Sequence, residues 1–249
     1  MMKVFLKILT WLLIAAWFVV VLGFVSGEAE KVVCNRIDVH LTDTALSRFV
    51  TAADVREMLS SSGIPLQGYT MSQIDIRKLE QSVEKNPYIS NAEVSTDISG
   101  RLEVRVEQRI PLVRIMPDGE SGFYLDREGH RLPLSDQFTP KTLLASGHIK
   151  VRDAEKTKQL QEILEFSNYI SDHPFWKAQI VQIYVDRNGE YELIPRVGAH
   201  QILLGSMDHW EQKLRNLELL YRQGLSRYGW NTYETINLKY TNQVICSKR

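Results

Sequence analysis

The sequence has 249 residues, with 30 basic and 30 acidic side chains and a formal net charge of zero at pH 7. Because it has no basic surplus to neutralise phosphates, we exclude a nucleic-acid-binding protein. The length suits one large or two small domains with a hydrophobic core. The two cysteines, Cys34 and Cys246, fall in different predicted domains, so we expect free or buried thiols rather than a disulfide.

An uncharged apolar run extends from Ile8 to Val25 near the N-terminus. At about 1.5 Å per residue, a helix of this length spans roughly 27 Å, which is enough to cross the hydrocarbon core of a membrane. Lys3 and Lys7 precede the run, which predicts a cytoplasmic N-terminus and export of the remaining chain. The anchor residues are the ends of the run and its tryptophans, namely Ile8, Trp11, Trp17 and Val25.

A cleaved signal peptide is the alternative interpretation of this run. Val25, Ser26 and Gly27 offer small residues for a peptidase, and the start is basic. However, the apolar run is longer than the roughly 7–15 residues of a signal-peptide core, which favours an uncleaved anchor. Both interpretations place the rest of the chain outside the cytoplasm.

Residues 32–111 have the pattern of a small α+β domain. Apolar and polar residues alternate in its predicted strands, and capping pairs with the required spacing open its predicted helices. The elements are, in order, a strand over Val33–Leu41, helices opened by Thr51–Asp54 and Ser72–Asp75, and strands over Ala92–Ile98 and Leu102–Val106. The order is therefore strand, helix, helix, strand, strand.

Residues 112–249 predict a mostly antiparallel β domain with two helices. The predicted elements are hairpins over 123–132 and 183–193, a helix over Leu160–Ile170 that His173-Pro174 closes, a helix from Asp208, and strands over Ile236–Thr241 and Val244–Cys246. Both hairpins carry a Tyr-x-Asp-Arg-x-Gly turn, in which Gly supplies a positive φ. The last strand lies close to the chain end and is predicted to be an edge strand.

Candidate chemistry is weak throughout the chain. The six histidines show no zinc-ligand spacing, and the sequence contains no nucleophile elbow or phosphate-binding loop. Asp126 and Asp186 form a possible carboxylate pair, but Asp favours turns and both lie in hairpin turns. Of the tryptophans, Trp210 is predicted to be core and Trp230 to be at the surface. We predict no catalytic residue, no cofactor and no metal site.

Several stretches together resemble the bacterial FtsQ/DivIB cell division family. They are Phe49–Val55, Asn86–Val94, Leu102–Val106 with Pro111, Tyr124–Gly129, and Ile236–Tyr240. No single stretch is specific to the family. Their order, their spacing and their position after one predicted membrane span are specific together. The resemblance implies a short cytoplasmic tail (1–7), a transmembrane helix (8–25), a linker (26–31), a POTRA domain (32–111) and a C-terminal β domain (112–249).

This sequence departs from the family pattern at three points. Gln108 stands where many members carry Glu, and Lys239 stands where the family often has Arg. Lys keeps the charge but lacks the planar fork that grips a carboxylate at two points, so a contact there would be weaker or differently shaped. About seven residues precede the predicted span, fewer than in some members, which puts cytoplasmic contacts of the tail in doubt.

The resemblance also implies a function. The chain would be a non-catalytic scaffold in the inner membrane at the division septum, with its C-terminus in the periplasm. Its C-terminal strand region would dock the single-span proteins FtsB and FtsL by adding a strand to the sheet edge. The implied partner-binding residues are Lys239, Tyr240, Thr241, Asn242, Gln243, Val244, Ile245 and Cys246.

Two other functions are weighed against this one. An envelope assembly factor with POTRA domains would carry several such units and a long barrel, whose strand pattern is not seen here. A membrane-anchored cell-wall hydrolase would need a clustered set of catalytic groups. Convergence of two or more of Asp126, His130, His148 and Asp186 in one deep pocket would favour that function. Without the resemblance, the final segment would be interpreted as an ordinary terminal strand.

Overall fold

A computed structural model describes residues 11–20, 32–42, 44–151, 157–225, 227 and 229–249. The chain divides into two compact units, Met1–Arg109 and Ile110–Arg249. Residues 11–20 form a helix, α1, whose apolar side chains are exposed, including Trp11 and Trp17. Among the described residues, no helix combines the length and apolar character needed to cross a membrane. The predicted anchor ends, Ile8 and Val25, lie outside the described residues.

The first unit has the predicted order of elements. They are β1 (Arg36–Thr42), α2 (Ala52–Ser61), a 3-10 turn (Met71–Gln73), α3 (Ile76–Glu84), β2 (Ile89–Thr96) and β3 (Arg101–Gln108). The three strands lie in the order β1-β3-β2, with β1 parallel and β2 antiparallel to β3. The alternating residues Leu102, Val104 and Val106 of β3 are fully buried, as are Val55, Leu79 and Val83 of the two helices. The β-α-α-β-β prediction is confirmed.

The helix caps in this unit differ in how well the sequence predicted them. Thr51 and Asp54 form the expected capping box, in which the Thr51 backbone N–H donates to Asp54 at 2.8 Å. The predicted pair Ser72–Asp75 is wrong as a box, because Ser72 lies in the 3-10 turn and Asp75 itself caps α3 by accepting the Lys78 N–H. Ile98 does not extend β2 and is 89% exposed in the hairpin turn.

The second unit is built on a nine-stranded sheet. Its elements are β4 (Pro111–Pro117), β5 (Phe123–Asp126), β6 (Arg131–Pro133), β7 (Leu143–Gly147), α4 (Lys158–Asp172), α5 (Pro174–Gln179), β8 (Ile180–Val185), β9 (Tyr191–Pro195), β10 (Gln201–Gly205), α6 (Trp210–Leu219), a π-helical turn (Leu220–Leu225), β11 (Tyr233–Asn237) and β12 (Ile245–Lys248). The strand order is β12-β11-β10-β9-β8-β7-β4-β5-β6. Three neighbouring pairs are parallel, namely β4 with β7, β7 with β8 and β10 with β11, and the others are antiparallel.

The prediction of two helices in this unit is wrong, because the described residues include the further short helix α5. His173-Pro174 ends α4 as predicted, but Pro174 then occupies the first position of α5. Proline suits this position because its missing N–H would have no helical partner there. Trp176 of α5 is buried in the core together with Ile163 and Phe166 of α4. The sheet and its helices thus share one hydrophobic core.

Candidate docking edge

The C-terminal hairpin of β11 and β12 lies at one end of the nine-stranded sheet. In this hairpin Ile236 is opposite Cys246, and Asn237 is opposite Ile245. Within the described residues, β12 has only β11 as a strand neighbour, so its other side is an open sheet edge. A strand edge with unpaired N–H and C=O groups can accept an added strand.

The bounds of both hairpin strands differ from the prediction: β11 ends earlier, and β12 is shifted from the predicted Val244–Cys246 to Ile245–Lys248. Alternation predicted a strand from Ile236 to Thr241, but β11 ends at Asn237. The Asn237 side chain accepts the backbone N–H of Lys239 at 2.9 Å and so turns the chain. The Leu238 N–H donates to the carbonyl of Leu203 at 2.9 Å. Of the predicted docking residues, only Ile245 and Cys246 therefore lie in β12, and the others form the loop before it.

Two side chains from elsewhere hold this loop. The Asn216 side-chain amide of α6 donates to the carbonyl of Thr241 at 2.9 Å. Lys239 forms an ion pair with Glu190, in the turn between β8 and β9, and this contact raises the pKa of Lys239. Lys239, which the family resemblance implies to be a partner-binding residue, is therefore engaged within its own chain.

The two sides of the hairpin differ in polarity. Val244 and Cys246 pack against the core, whereas Tyr240 is 55% and Ile245 43% exposed. Both Cys246 and Cys34 are free thiols, as expected, and burial raises the pKa of each. The exposed apolar side chains next to the open edge are suited to contact another polypeptide.

The chain end is fastened next to β10. The backbone N–H of Arg249 donates to the carbonyl of Thr232, and its guanidinium donates to the carbonyl of Ala199 at 2.8 Å. Arg249 and Ala199, with Gln201 and Glu234, line a shallow open groove. These contacts fix the end of β12.

A buried polar contact lies beneath the start of β10. His200 is 2% exposed, and its Nε2 lies 2.8 Å from the Tyr221 hydroxyl. Burial lowers the pKa of His200 and raises that of Tyr221. Trp230 packs edge-on against Tyr221, with ring centroids 5.3 Å apart. The prediction of Trp230 as a surface residue is wrong, because it is half-buried against the core.

Trp210, predicted to be core, is only partly buried. It packs edge-on against Phe166 and Tyr169 of α4, at the border of the core. Its position in the helix predicted that Trp210 faces the core, but it did not predict how deeply the side chain is buried.

The candidate catalytic groups form turns rather than a cavity. Asp126 accepts the backbone N–H groups of Glu128 and His130, and Asp186 likewise accepts those of Asn188 and Glu190. The glycines of the two turns, Gly129 and Gly189, have φ of +83° and +80°. Turn chemistry thus explains why both hairpins carry the sequence Tyr-x-Asp-Arg-x-Gly.

One of these turns brings together a carboxylate and a histidine. Asp126 Oδ2 lies 3.0 Å from His130 Nδ1, and Glu128 lies 3.3 Å from the same ring nitrogen. The three ligand atoms lie within 4.8 Å of one another, which is close enough to reach one metal ion. His148 is paired separately with Asp118 at 3.3 Å. The meeting of Asp126 and His130 occurs at a half-exposed hairpin, not in a deep pocket.

Two family models match this chain. One, described as FtsQ/DivIB, C-terminal related, matches residues 110–247, which is more than half of the chain. The chain belongs to the FtsQ/DivIB family. A model described as a POTRA-like domain matches residues 32–107. These residues contain the strand–helix–helix–strand–strand unit.

Related proteins from several bacteria support the family assignment. Cell division protein FtsQ of Rhodothermus marinus is 27% identical over 236 residues, covering 89% of this chain and 84% of that protein. Cell division protein FtsQ of Syntrophotalea carbinolica is 25% identical over 200 residues, covering 76% and 67%. A solved structure of POTRA1-2 of the periplasmic domain of Omp85 from Anabaena has 13% identity and a TM-score of 0.26, covering 54% of this chain and 65% of that chain.

Proposed function

We propose that this FtsQ/DivIB family member is a non-catalytic scaffold for bacterial cell division. Its relatives are named cell division proteins, and the family model covers the unit that contains the open β12 edge. The observation that carries the proposal is that β12 pairs with β11 alone among the described residues. A scaffold needs such an accessible binding edge but no reactive site.

We further propose that β12 docks single-span division proteins of the FtsB and FtsL type. An incoming strand would form backbone hydrogen bonds with β12, and these would supply much of the affinity. Exposed Ile245 and Tyr240 would add apolar contact beside them. The loop that Asn216 and Lys239 hold would keep the edge in place, which lowers the entropic cost of binding.

The N-terminal run would tether this edge near the membrane. We propose that residues 8–25 cross the inner membrane once, with the N-terminus in the cytoplasm and the two compact units in the periplasm at the septum. The uncharged run and the lysines before it support this orientation. Tethering keeps the docking edge close to partners that are themselves anchored, which raises their effective concentration.

Ile245→Glu tests the docking edge directly. The change places a charge within the proposed interface on a half-exposed side chain, so capture of a co-expressed FtsB–FtsL pair should fall by about tenfold or more, which corresponds to roughly 1.4 kcal/mol. Co-purification with the tagged full chain measures this loss. Removal of residues 245–249 should abolish capture.

The matched control is Ile98→Glu, which makes the same change at an apolar side chain that is 89% exposed in the first unit. It should leave capture unchanged, and thermal unfolding should show that both variants remain folded. Undiminished capture by both Ile245→Glu and the truncated chain would refute docking at β12.

A further inference from the structure

The sheet of the first unit has a second exposed end, and it differs from β12. In the described residues β2 pairs only with β3, so the outer side of β2 is also a sheet edge. This unit thus has an edge at which a strand could be added. Here, however, the helix α3 supplies side chains to that edge.

Two carboxylates of α3 bind backbone N–H groups of β2. Glu84 accepts the N–H of Ala92 at 3.3 Å, and Glu80 accepts the N–H of Val94 at 3.0 Å. Ala92 and Val94 are two residues apart, so their N–H groups point to the same side of the strand. These are the groups that an added strand would need.

The geometry of a helix beside a strand explains the match. Residues four apart on a helix rise by about 6 Å on one face, and residues two apart on a strand are separated by about 6.8 Å. Glu80 and Glu84 therefore reach successive outward N–H groups of β2 in reverse order. The Ala92 and Val94 side chains are buried, so core packing holds this part of β2 in place next to the two carboxylates.

We propose that Glu80 and Glu84 close the outer edge of β2 to strand addition. A hydrogen bond to a carboxylate is about twice as strong as one to a neutral carbonyl, so an incoming strand would exchange stronger bonds for weaker ones. It would also have to displace two charged side chains. Of the described residues, none places a carboxylate against the backbone of β12 in this way. This inference does not depend on docking at β12.

The test compares three forms of the full chain. Glu80→Ala/Glu84→Ala removes both acceptors, whereas Glu80→Gln/Glu84→Gln keeps an acceptor oxygen at each position and removes only the charge. In hydrogen–deuterium exchange, the two amides within residues 89–96 should exchange about tenfold faster in the alanine variant, as expected for loss of one hydrogen bond. The glutamine variant should exchange at a rate between the other two, because a neutral acceptor forms a weaker hydrogen bond than a carboxylate. Residues 101–108 should be unchanged in all three.

A synthetic peptide with the sequence of Arg101–Gln108 is the probe for the opened edge, because this sequence already pairs with β2 on its other side. It should bind the alanine variant, bind the glutamine variant more weakly, and not bind the wild type. Glu84→Ala alone should free only the Ala92 amide and serves if the double variant does not fold. Unchanged exchange in the alanine variants would overturn the proposal. So would peptide binding by the wild type, or faster exchange without peptide binding.

Discussion

At the scale of the residue, His200 is a buried imidazole whose protonation the fold opposes. Burial is the main cause that lowers the pKa of His200, and the charge of Arg249 lowers it further, whereas a contact with the Trp230 backbone acts in the opposite direction. The Nε2 of His200 lies beside the Tyr221 hydroxyl. The unfolded chain therefore binds the proton more readily than the folded chain. The stability that neutral His200 contributes is complete above the ordinary pKa of about 6.5 and is lost as the pH falls below it.

His200→Gln should reduce this acid sensitivity. Between pH 8 and pH 5.5, the urea midpoint of the wild type should fall by more than that of the variant, because the variant has no buried group to protonate there. His40→Gln, at a mostly exposed side chain, is the control and should behave like the wild type. Equal falls for all three chains would contradict the expectation.

At the scale of the element, Lys213 joins α6 to the segment that follows β10. Its ammonium group is buried and donates to the carbonyls of Leu204 and Ser206, at 2.9 and 2.7 Å. Burial lowers the pKa of Lys213, but two carbonyl acceptors satisfy the buried group. This contact fixes the start of α6, the helix that also holds Thr241.

Lys213→Met tests that contact with a side chain of similar length. The free energy of unfolding should fall by about 1–3 kcal/mol, because the buried carbonyl of Leu204 and the partly buried carbonyl of Ser206 lose their donor. Urea unfolding measures the change. Lys158→Met, at a side chain that is 89% exposed, is the matched control and should alter stability little. If the loss of unfolding free energy equals that of the control, the contacts of Lys213 with Leu204 and Ser206 do not stabilise the protein.

At the scale of the whole molecule, the two compact units present edges of opposite character. The edge of β2 carries two carboxylate caps, and that of β12 carries exposed apolar side chains. Combined with an N-terminal tether, this arrangement would direct strand addition to the C-terminal unit. Along the chain, the proposed order is thus a membrane span, then the closed edge of β2, and then the open edge of β12.

The proposed membrane tether, residues 8–25, has its own test. The full chain should sediment with membranes and resist alkaline carbonate extraction, and a chain lacking residues 1–31 should be released, because the uncharged run would be gone. N-terminal sequencing of the membrane-bound protein should begin near residue 1. A mature protein shortened by about 25 residues would instead support the cleaved signal peptide.

Local sequence patterns were sufficient to predict the order of elements in the first unit and the existence of a terminal edge strand. Alternation and the Thr51–Asp54 cap are local signals, and the Asp126 and Asp186 turns close within four residues. Such contacts involve neighbours along the chain, so their residue types are sufficient to predict them.

Long-range contacts set where β11 ends, how deeply Trp230 is buried and what holds Lys239. Glu190 is 49 residues from Lys239, and Asn216 is 25 from Thr241. The caps on β2 likewise join α3 to a strand beyond the next turn. No local pattern encodes these contacts, because each depends on which distant polar group the fold brings within hydrogen-bonding distance.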